Sequence, residues 1–273
     1  MSVRRAFPNQ ATKPTLGAFF VTGAEEAFIS LLNRVRAPST NNSNVSSQRS
    51  FNIAMAAAFD QLHVRVATRQ DAPRIAEIHM AAFARNAMLH AQFPSPAIRK
   101  ALQSCIANKA LADIGDPKTT VLAVVASEDR NESVATIIAF AKWSHPVISG
   151  EDYVETPWIW PEGTDLDTLQ AWTARAAEAE SRSIGDTPCY HLSFIGTDPL
   201  YGQRGAGHLL VQWGIEQSIA SGSPLYLEST LEAAAFYKRE GFIAGETISL
   251  PIHVDGSAEE QLYEEIVFTY RPA

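Results

Sequence analysis

The stretch from Tyr190 to Phe242 constrains this chain more than any other. It reads as strand, glycine turn, helix, strand, helix. The first strand, His191 to Thr197, is apolar and stops at Asp198-Pro199, a turn signal. Glycines follow at 202, 205 and 207, and an apolar helix begins among them. Gly205 and Gly207 carry no Cβ, so a ligand can approach the backbone closely there. The first turn of a helix also holds N–H groups without an internal partner, at the positive end of its dipole. A glycine-rich turn opening a helix is therefore an anion site that suits a pyrophosphate.

Spacing narrows the ligand. A dinucleotide fold needs G-x-G-x-x-G early in a βαβ unit, whereas the order here is G-x-x-G-x-G, late in the chain. A phosphate loop of the Walker type needs Lys and Ser or Thr after the turn, and Gly207 is followed by His208 and Leu209. Further on come the short strand LYLES and the run AAAFYKREGF. This order resembles the GNAT superfamily of acyl-CoA-dependent N-acyltransferases. The family's pyrophosphate loop, [Q/R]-x-x-G-x-[G/A], is matched by Gly202 through Gly207, and its Tyr-x-x-x-Gly-Phe signature by Tyr237, Gly241 and Phe242. The likeness spans about Leu62 to Pro272. Gly202 stands where the family has Gln or Arg, with Gln203 and Arg204 directly after it.

With 273 residues and 46% hydrophobic content, the chain is long enough for one sizeable core. No apolar run of about 18 residues appears, so no membrane span is expected. Cys105 and Cys189 lie far apart without metal-like neighbours, as in a reduced, cytoplasmic protein. The histidines form no H-x-x-x-H or Cys/His cluster, and no metal site is expected. The net charge is −8, but residues 1–60 hold six basic and three acidic residues, a net of +3, which leaves −11 for the rest. So acidic a body is a poor partner for nucleic acid or an anionic membrane.

Residues 1–60 read as a flexible N-terminal extension, with Ser, Asn and Pro crowding APSTNNSNVSSQRS and one amphipathic run, LGAFFVTGAEEAFISLLNRV. The first 20 residues are basic, as in a mitochondrial transit peptide, but Glu25-Glu26 and the sparse Ser argue against that reading. Residues 61–273 read as one domain. HVRVAT alternates Val64 and Val66 as a half-buried strand, and Thr68 to Asp71 is a capping-box start. The helix that follows places Ile75, Ile78, His79 and Ala82 on one face, with His79 as a packed histidine. A second helix runs from about Ala97 to Ala112. TTVLAVVAS and SVATIIAFAKW are strands covered on both faces, joined by a turn at Glu128 to Asn131. Residues 145–187 form a long insert before the fourth strand. From Ser149 to Asp186 it holds nine acids against Arg175 and Arg182, with a helix at Leu166 to Ser181. So long a connection is often a lid or a binding element. Runs at Ala244 to His253 and Leu262 to Tyr270 close the sheet as a hairpin.

The resemblance implies an α+β fold of GNAT type, with a mixed central sheet of six to seven strands flanked by helices. It also implies an acetyl-CoA-dependent N-acetyltransferase that acts on a small-molecule amine by direct transfer, as a monomer or homodimer. The competing reading is a catalytically silent acyl-CoA-binding module, or other CoA-thioester chemistry on the same fold. Coenzyme A is then expected along Phe194, Ile195 and Thr197, whose strand the family splays from its neighbour, and at Gly202, Gln203, Arg204, Gly205, Ala206, Gly207 and His208. Tyr237 takes the place of the family's proton donor to the leaving thiolate; a phenol is a competent acid for that step. For the base, Glu228 on LYLES stands first, with His191, Ser193 and His145 as alternatives, or water alone. Strand alternation puts His191 and Ser193 on one face. Trp158, Trp160 and His191 are the candidate acceptor contacts: the insert's acids would draw a protonated amine and its tryptophans would stack on it.

Overall fold

The computed structural model describes residues 62–127, 135–148, 150–255 and 257–272. The expectations for residues 1–60 and for the turn at Glu128 to Asn131 lie outside the described residues. Seven strands form one sheet in the order β1-β2-β3-β4-β5-β7-β6. They are β1 (Leu62–Val66), β2 (Thr119–Ser127), β3 (Ala135–Ser144), β4 (Tyr190–Thr197), β5 (Leu225–Thr230), β6 (Ile243–His253) and β7 (Glu260–Tyr270). The helices are α1 (Ala72–Ala82), α2 (Ala87–Gln92), α3 (Pro96–Ile114), α4 (Leu166–Ile184), α5 (Ala206–Ser221) and α6 (Ala234–Arg239). Neighbouring strands are antiparallel except β4 and β5, which are parallel because α5 carries the chain back across the sheet.

Each face of the sheet has its own core. Apolar side chains of α1 to α4 pack on one face, around Phe140, Phe194, Tyr226 and Val267. Those of α5 and α6 pack on the other, around Trp143, Leu192, Leu227 and Phe268. Cover on both sides is why β2 and β3 are almost wholly apolar. β1 lies at the sheet edge, and Val66 is exposed there rather than half-buried as its alternation predicts.

Local chemistry sets the helix starts. Asp71 accepts the Thr68 backbone N–H at 2.6 Å, and Arg65 clamps the same carboxylate at 2.6 and 2.9 Å. α1 buries the expected stripe, and its His79 sits among the rings of Phe83, Phe140 and Phe194. Burial alone lowers the His79 pKa to about 3, so the ring stays neutral. α2 was not legible in sequence: six residues long, it is opened by Asn86, whose side chain accepts the Leu89 N–H at 2.9 Å. Ser95 caps α3 and Pro96 occupies its first turn.

Two irregularities place the site. β4 pairs with β5 only at Tyr190↔Leu225 and His191↔Tyr226. Beyond that, β5 continues along β7, and the two strands part into a wedge with the β4 edge from Leu192 to Thr197 facing into it. On its other side β4 pairs Leu192 with Trp143 and Phe194 with Lys142, so Ser193 is the extra residue of a β-bulge. The bulge breaks the alternation assumed for His191 and Ser193: Leu192 belongs to one core and Phe194 to the other.

Candidate functional site

The wedge leads to the glycine turn. β4 ends at Thr197. Asp198 then caps a 3-10 turn at Pro199–Tyr201 through the Leu200 N–H at 2.9 Å, and is itself held by Arg74 of α1 at 2.5 Å. Gly202 has ordinary extended backbone angles. Gln203, with φ of 60°, sits in the left-handed region, which costs a non-glycine residue about 1 kcal/mol. Gly205, at φ of 87°, is the N-cap of the 16-residue α5 and offers no side-chain cap. The first helical bond there runs from the Leu209 N–H to the Gly205 carbonyl. The N–H groups before Leu209 therefore lie at the helix mouth without an intrahelical acceptor.

At Gly205 the left-handed backbone itself calls for glycine, whereas Gly207 fits a ligand better than it fits the chain. A Cβ at Gly205 would meet no atom within 4 Å, and one at Gly207 would make an ordinary contact of 3.6 Å with Phe236. Gly207 also has no positive φ. Neither packing nor backbone angle asks for glycine at 207, so the bare backbone is available to a group outside the protein. Arg204 is exposed and stacks over the Tyr201 ring at 5.1 Å, placing a cation beside the turn. His208 contacts Glu240 of α6 at 2.8 Å, and Gln212 donates to the same carboxylate at 3.0 Å. The residues present thus fit a pyrophosphate-bearing cofactor whose arm runs along the open β4 edge.

At the foot of the wedge, His191 Nε2 lies 3.0 Å from Glu228 Oε2, with both side chains buried. The Tyr226 ring stands 5.1 Å from the imidazole, roughly edge-on. Burial works against a charged His191, but Glu228 outweighs it and holds the imidazole pKa above its usual value of 6.5. With Nε2 donating to Glu228, Nδ1 is the ring nitrogen left to take a proton. Two of the alternative bases are engaged elsewhere. His145 contacts Thr120 Oγ1 at 2.8 Å, with its pKa lowered by burial and by Lys118. Ser193 lies 3.1 Å from Ser144 Oγ.

Tyr237 lies on the opposite face of the sheet, fully enclosed and in ring contact with Phe236, Phe242 and Phe268. Burial, reinforced by Glu240, raises its pKa well above 10 and keeps the phenol protonated. Trp158 stacks flat on Trp160 at 4.6 Å and meets Phe194 edge-on at 5.8 Å, while Trp160 reaches Phe93. The tryptophans thus lie over the residue that opens the wedge. With Ile75, His79, Phe140 and Lys142, Trp158 and Phe194 border a cavity of about 20 Å³, room for roughly one water.

Sequence reasoning missed a buried ionic cluster beside that cavity. Lys109 contacts Asp113 and, at 2.8 Å, Glu155; Lys142 reaches Glu155 at 2.6 Å and Asp113 at 3.1 Å. Two cations and two anions close a neutral cluster that clasps the insert to α3 and β3. Other insert acids are also structural: Glu151 pairs with Lys118, Asp165 caps α4, and Glu178 pairs with Arg182. A lysine inside AFAKW was the signal, since a cation in an otherwise apolar central strand needs buried partners.

The chain matches no protein-family model and no curated protein sequence. Solved structures do match it in shape. One is a Corynebacterium glutamicum protein described as histone acetyltransferase HPA2 and related acetyltransferase. It is 20% identical, with a TM-score of 0.51 over 78% of this chain and 97% of that one. A Drosophila melanogaster polyamine N-acetyltransferase is 16% identical, with a TM-score of 0.50 over 77% of this chain and 99% of the other. An agmatine N-acetyltransferase variant is 17% identical, with a TM-score of 0.51 and the same two shares. At such identities the likeness speaks for architecture, and by its seven-stranded mixed sheet, parted between β4 and β5, this chain has the GNAT fold.

Proposed function

We propose that the protein is an acetyl-CoA-dependent N-acetyltransferase that acts on a small-molecule amine by direct transfer. The observation that carries this reading is the wedge. Pairing between β4 and β5 ends at His191↔Tyr226, and the two strands part between a glycine helix mouth at one end and a buried His–Glu pair at the other. When bound, acetyl-CoA would supply the activated acetyl thioester, with the coenzyme A thiol as the leaving group. The backbone of Phe194, Ile195 and Thr197 lines the arm. Gly202 to His208 hold the pyrophosphate through backbone N–H groups, with Arg204 beside them. His191 takes the proton of the attacking amine at Nδ1, and Glu228 fixes the tautomer and stabilises the imidazolium. Tyr237 keeps the place of the family's proton donor to the leaving sulfur on the strength of its Tyr-x-x-x-Gly-Phe motif alone, because its enclosed position and raised pKa make it a weaker acid than a free phenol.

Trp158 and Trp160 wall the acceptor's approach from the insert. The amine class draws support from two neighbours of the same fold that are named for polyamine and agmatine acetylation. We place the protein in the cytoplasm on the strength of its two free thiols, and take it to act as a monomer or homodimer. Among the described residues no helix is long and apolar enough to cross a membrane. Thiol release from acetyl-CoA with a panel of primary amines tests the proposal. Release that depends on the amine, with an N-acetylated product, supports it. Tight CoA binding without release for any amine points instead to a silent binding module.

A further inference from the structure

A strip of polar side chains crosses the sheet face beneath α2 and α4, next to the His–Glu pair. Tyr226, Glu228 and Thr230 alternate along β5, and Tyr263 and Glu265 along β7, with Thr230 directly opposite Glu265. Glu265 is fully buried. Its Oε1 accepts the Tyr263 hydroxyl at 2.5 Å, and that hydroxyl accepts Asn86 Nδ2 at 3.0 Å. Among the described residues Glu265 Oε2 has no hydrogen-bond partner, and neither does Thr230 Oγ1 across from it, although both are buried. A buried polar oxygen left unmet costs about 1–3 kcal/mol, and two such oxygens facing each other leave a place for a polar group from outside the chain.

The local charge says what kind of donor. Facing Glu265 are Glu228 on β5, Tyr263 on β7 and Glu232 beyond the end of β5, with no basic group among them. Burial, with Glu228 and Glu232 adding to it, outweighs the Tyr263 hydrogen bond and pushes the Glu265 carboxyl pKa well above 4.5. A cation placed there would let it ionise. Glu228 faces Val267 and Glu265 faces Thr230, so the two carboxyls are diagonal neighbours on adjacent strands. Their separation is roughly 7 Å, a span that a chain of four methylenes bridges between two nitrogens.

Resting on the acetyl-transfer reading, we propose that Glu265 and Thr230 anchor the distal cation of a dibasic amine whose other nitrogen reacts beside His191 and Glu228. The covering elements must part to admit it. α2 is short, and its His90 joins Asp255 of the β6–β7 turn through an exposed contact at 3.1 Å.

Two measurements test this, and the first needs no turnover. Calorimetry with 1,4-diaminobutane and with butylamine, in buffers of different ionisation enthalpy, reads affinity and protons released. The diamine should bind at least tenfold tighter than the monoamine. About one proton released on its binding should disappear in Glu265→Gln, and Thr230→Val should weaken the diamine selectively. In steady-state assays, Glu265→Gln should raise the ratio of diamine to monoamine KM at least tenfold while moving the two kcat values together. Equal affinity for the two amines, or a Glu265→Gln variant that melts higher with amine discrimination intact, overturns the proposal and makes Glu265 a core group. Selective diamine binding through Glu265 without any acetylated product leaves this anchor standing and refutes the acetyl-transfer reading.

Discussion

Replacing Gly214 by alanine tests whether α5 is seated as the wedge requires. A Cβ there would lie 2.3, 2.5 and 2.8 Å from the Trp143 ring carbons Cζ2, Cη2 and Cε2. Non-bonded carbons settle at about 3.5–4.0 Å, so the helix or the ring must give by about 1 Å. The ring has little room: it is fully buried, packs against Trp213, and its Nε1 donates to the Leu210 carbonyl at 3.2 Å. Overpacking of this kind costs about 1–3 kcal/mol, and a lost indole hydrogen bond about 1 kcal/mol more. Alanine returns about 1 kcal/mol through its better helix propensity. The net is a loss of about 2 kcal/mol, or roughly 4–8 °C in Tm for a domain of this size. Since α5 presents the glycine turn, CoA affinity should fall as well. Calorimetric melting and CoA titration of Gly214→Ala read both quantities, and Trp143→Leu in the same chain should recover part of the loss. A Gly214→Ala variant that melts at or above the parent would refute the packing argument.

Glu228→Gln removes the charge that holds His191 above its usual pKa, leaving burial to lower it. The acid limb of kcat/KM should then move to lower pH while kcat falls at least about tenfold. An unmoved limb would mean that His191 is not the base. The same pair contributes stability that is fully present below pH 6.5 and lost as pH rises through the raised folded value. Tyr237→Phe should lower kcat about tenfold or more and leave the KM of acetyl-CoA unchanged; unchanged turnover would assign the phenol to packing alone. Glu155→Gln leaves two buried lysines facing one carboxylate and should cost about 2–4 kcal/mol in denaturant unfolding. Burial opposes ionisation of Glu155, but Lys142 and Lys109 lower its pKa below 4.5, so its contribution is present above pH 4.5 and lost as pH falls through the folded value. A difference from the parent that grows on acidification would contradict that sign.

Much of the architecture was legible because period and punctuation agree. Asp198-Pro199 ends β4, Gly205 opens α5, and the alternating and fully apolar runs mark the strands. What escaped the sequence depends on contacts between distant residues. The bulge at Ser193 leaves no local trace, since it is set by pairing with Trp143 and Lys142. α2 is too short for a period, and only Asn86 announces it. The His191–Glu228 pair joins residues 37 positions apart, so the sequence offered both without showing that they touch. Glu265 was open to notice, because QLYEEIVFTY places it in phase with Tyr263 and Val267, and an acid on the inward phase of a strand is a buried acid. The insert's acids looked like an electrostatic lure. Several instead neutralise lysines or cap a helix, work that composition alone cannot reveal.

The central claim is that the open β4 edge and the helix mouth hold coenzyme A. Titrating CoA by calorimetry into the parent and into Gly207→Ala and Gly207→Val tests it most directly. Gly207 has ordinary backbone angles and room for a Cβ, so the fold has no need of glycine there. The account predicts that both variants melt within about 2 °C of the parent, as a substitution far from packing conflicts should. CoA affinity should fall about tenfold for alanine and further for valine. Affinity equal to the parent's in both variants would contradict it, because a pyrophosphate seated on that backbone has no space for either side chain.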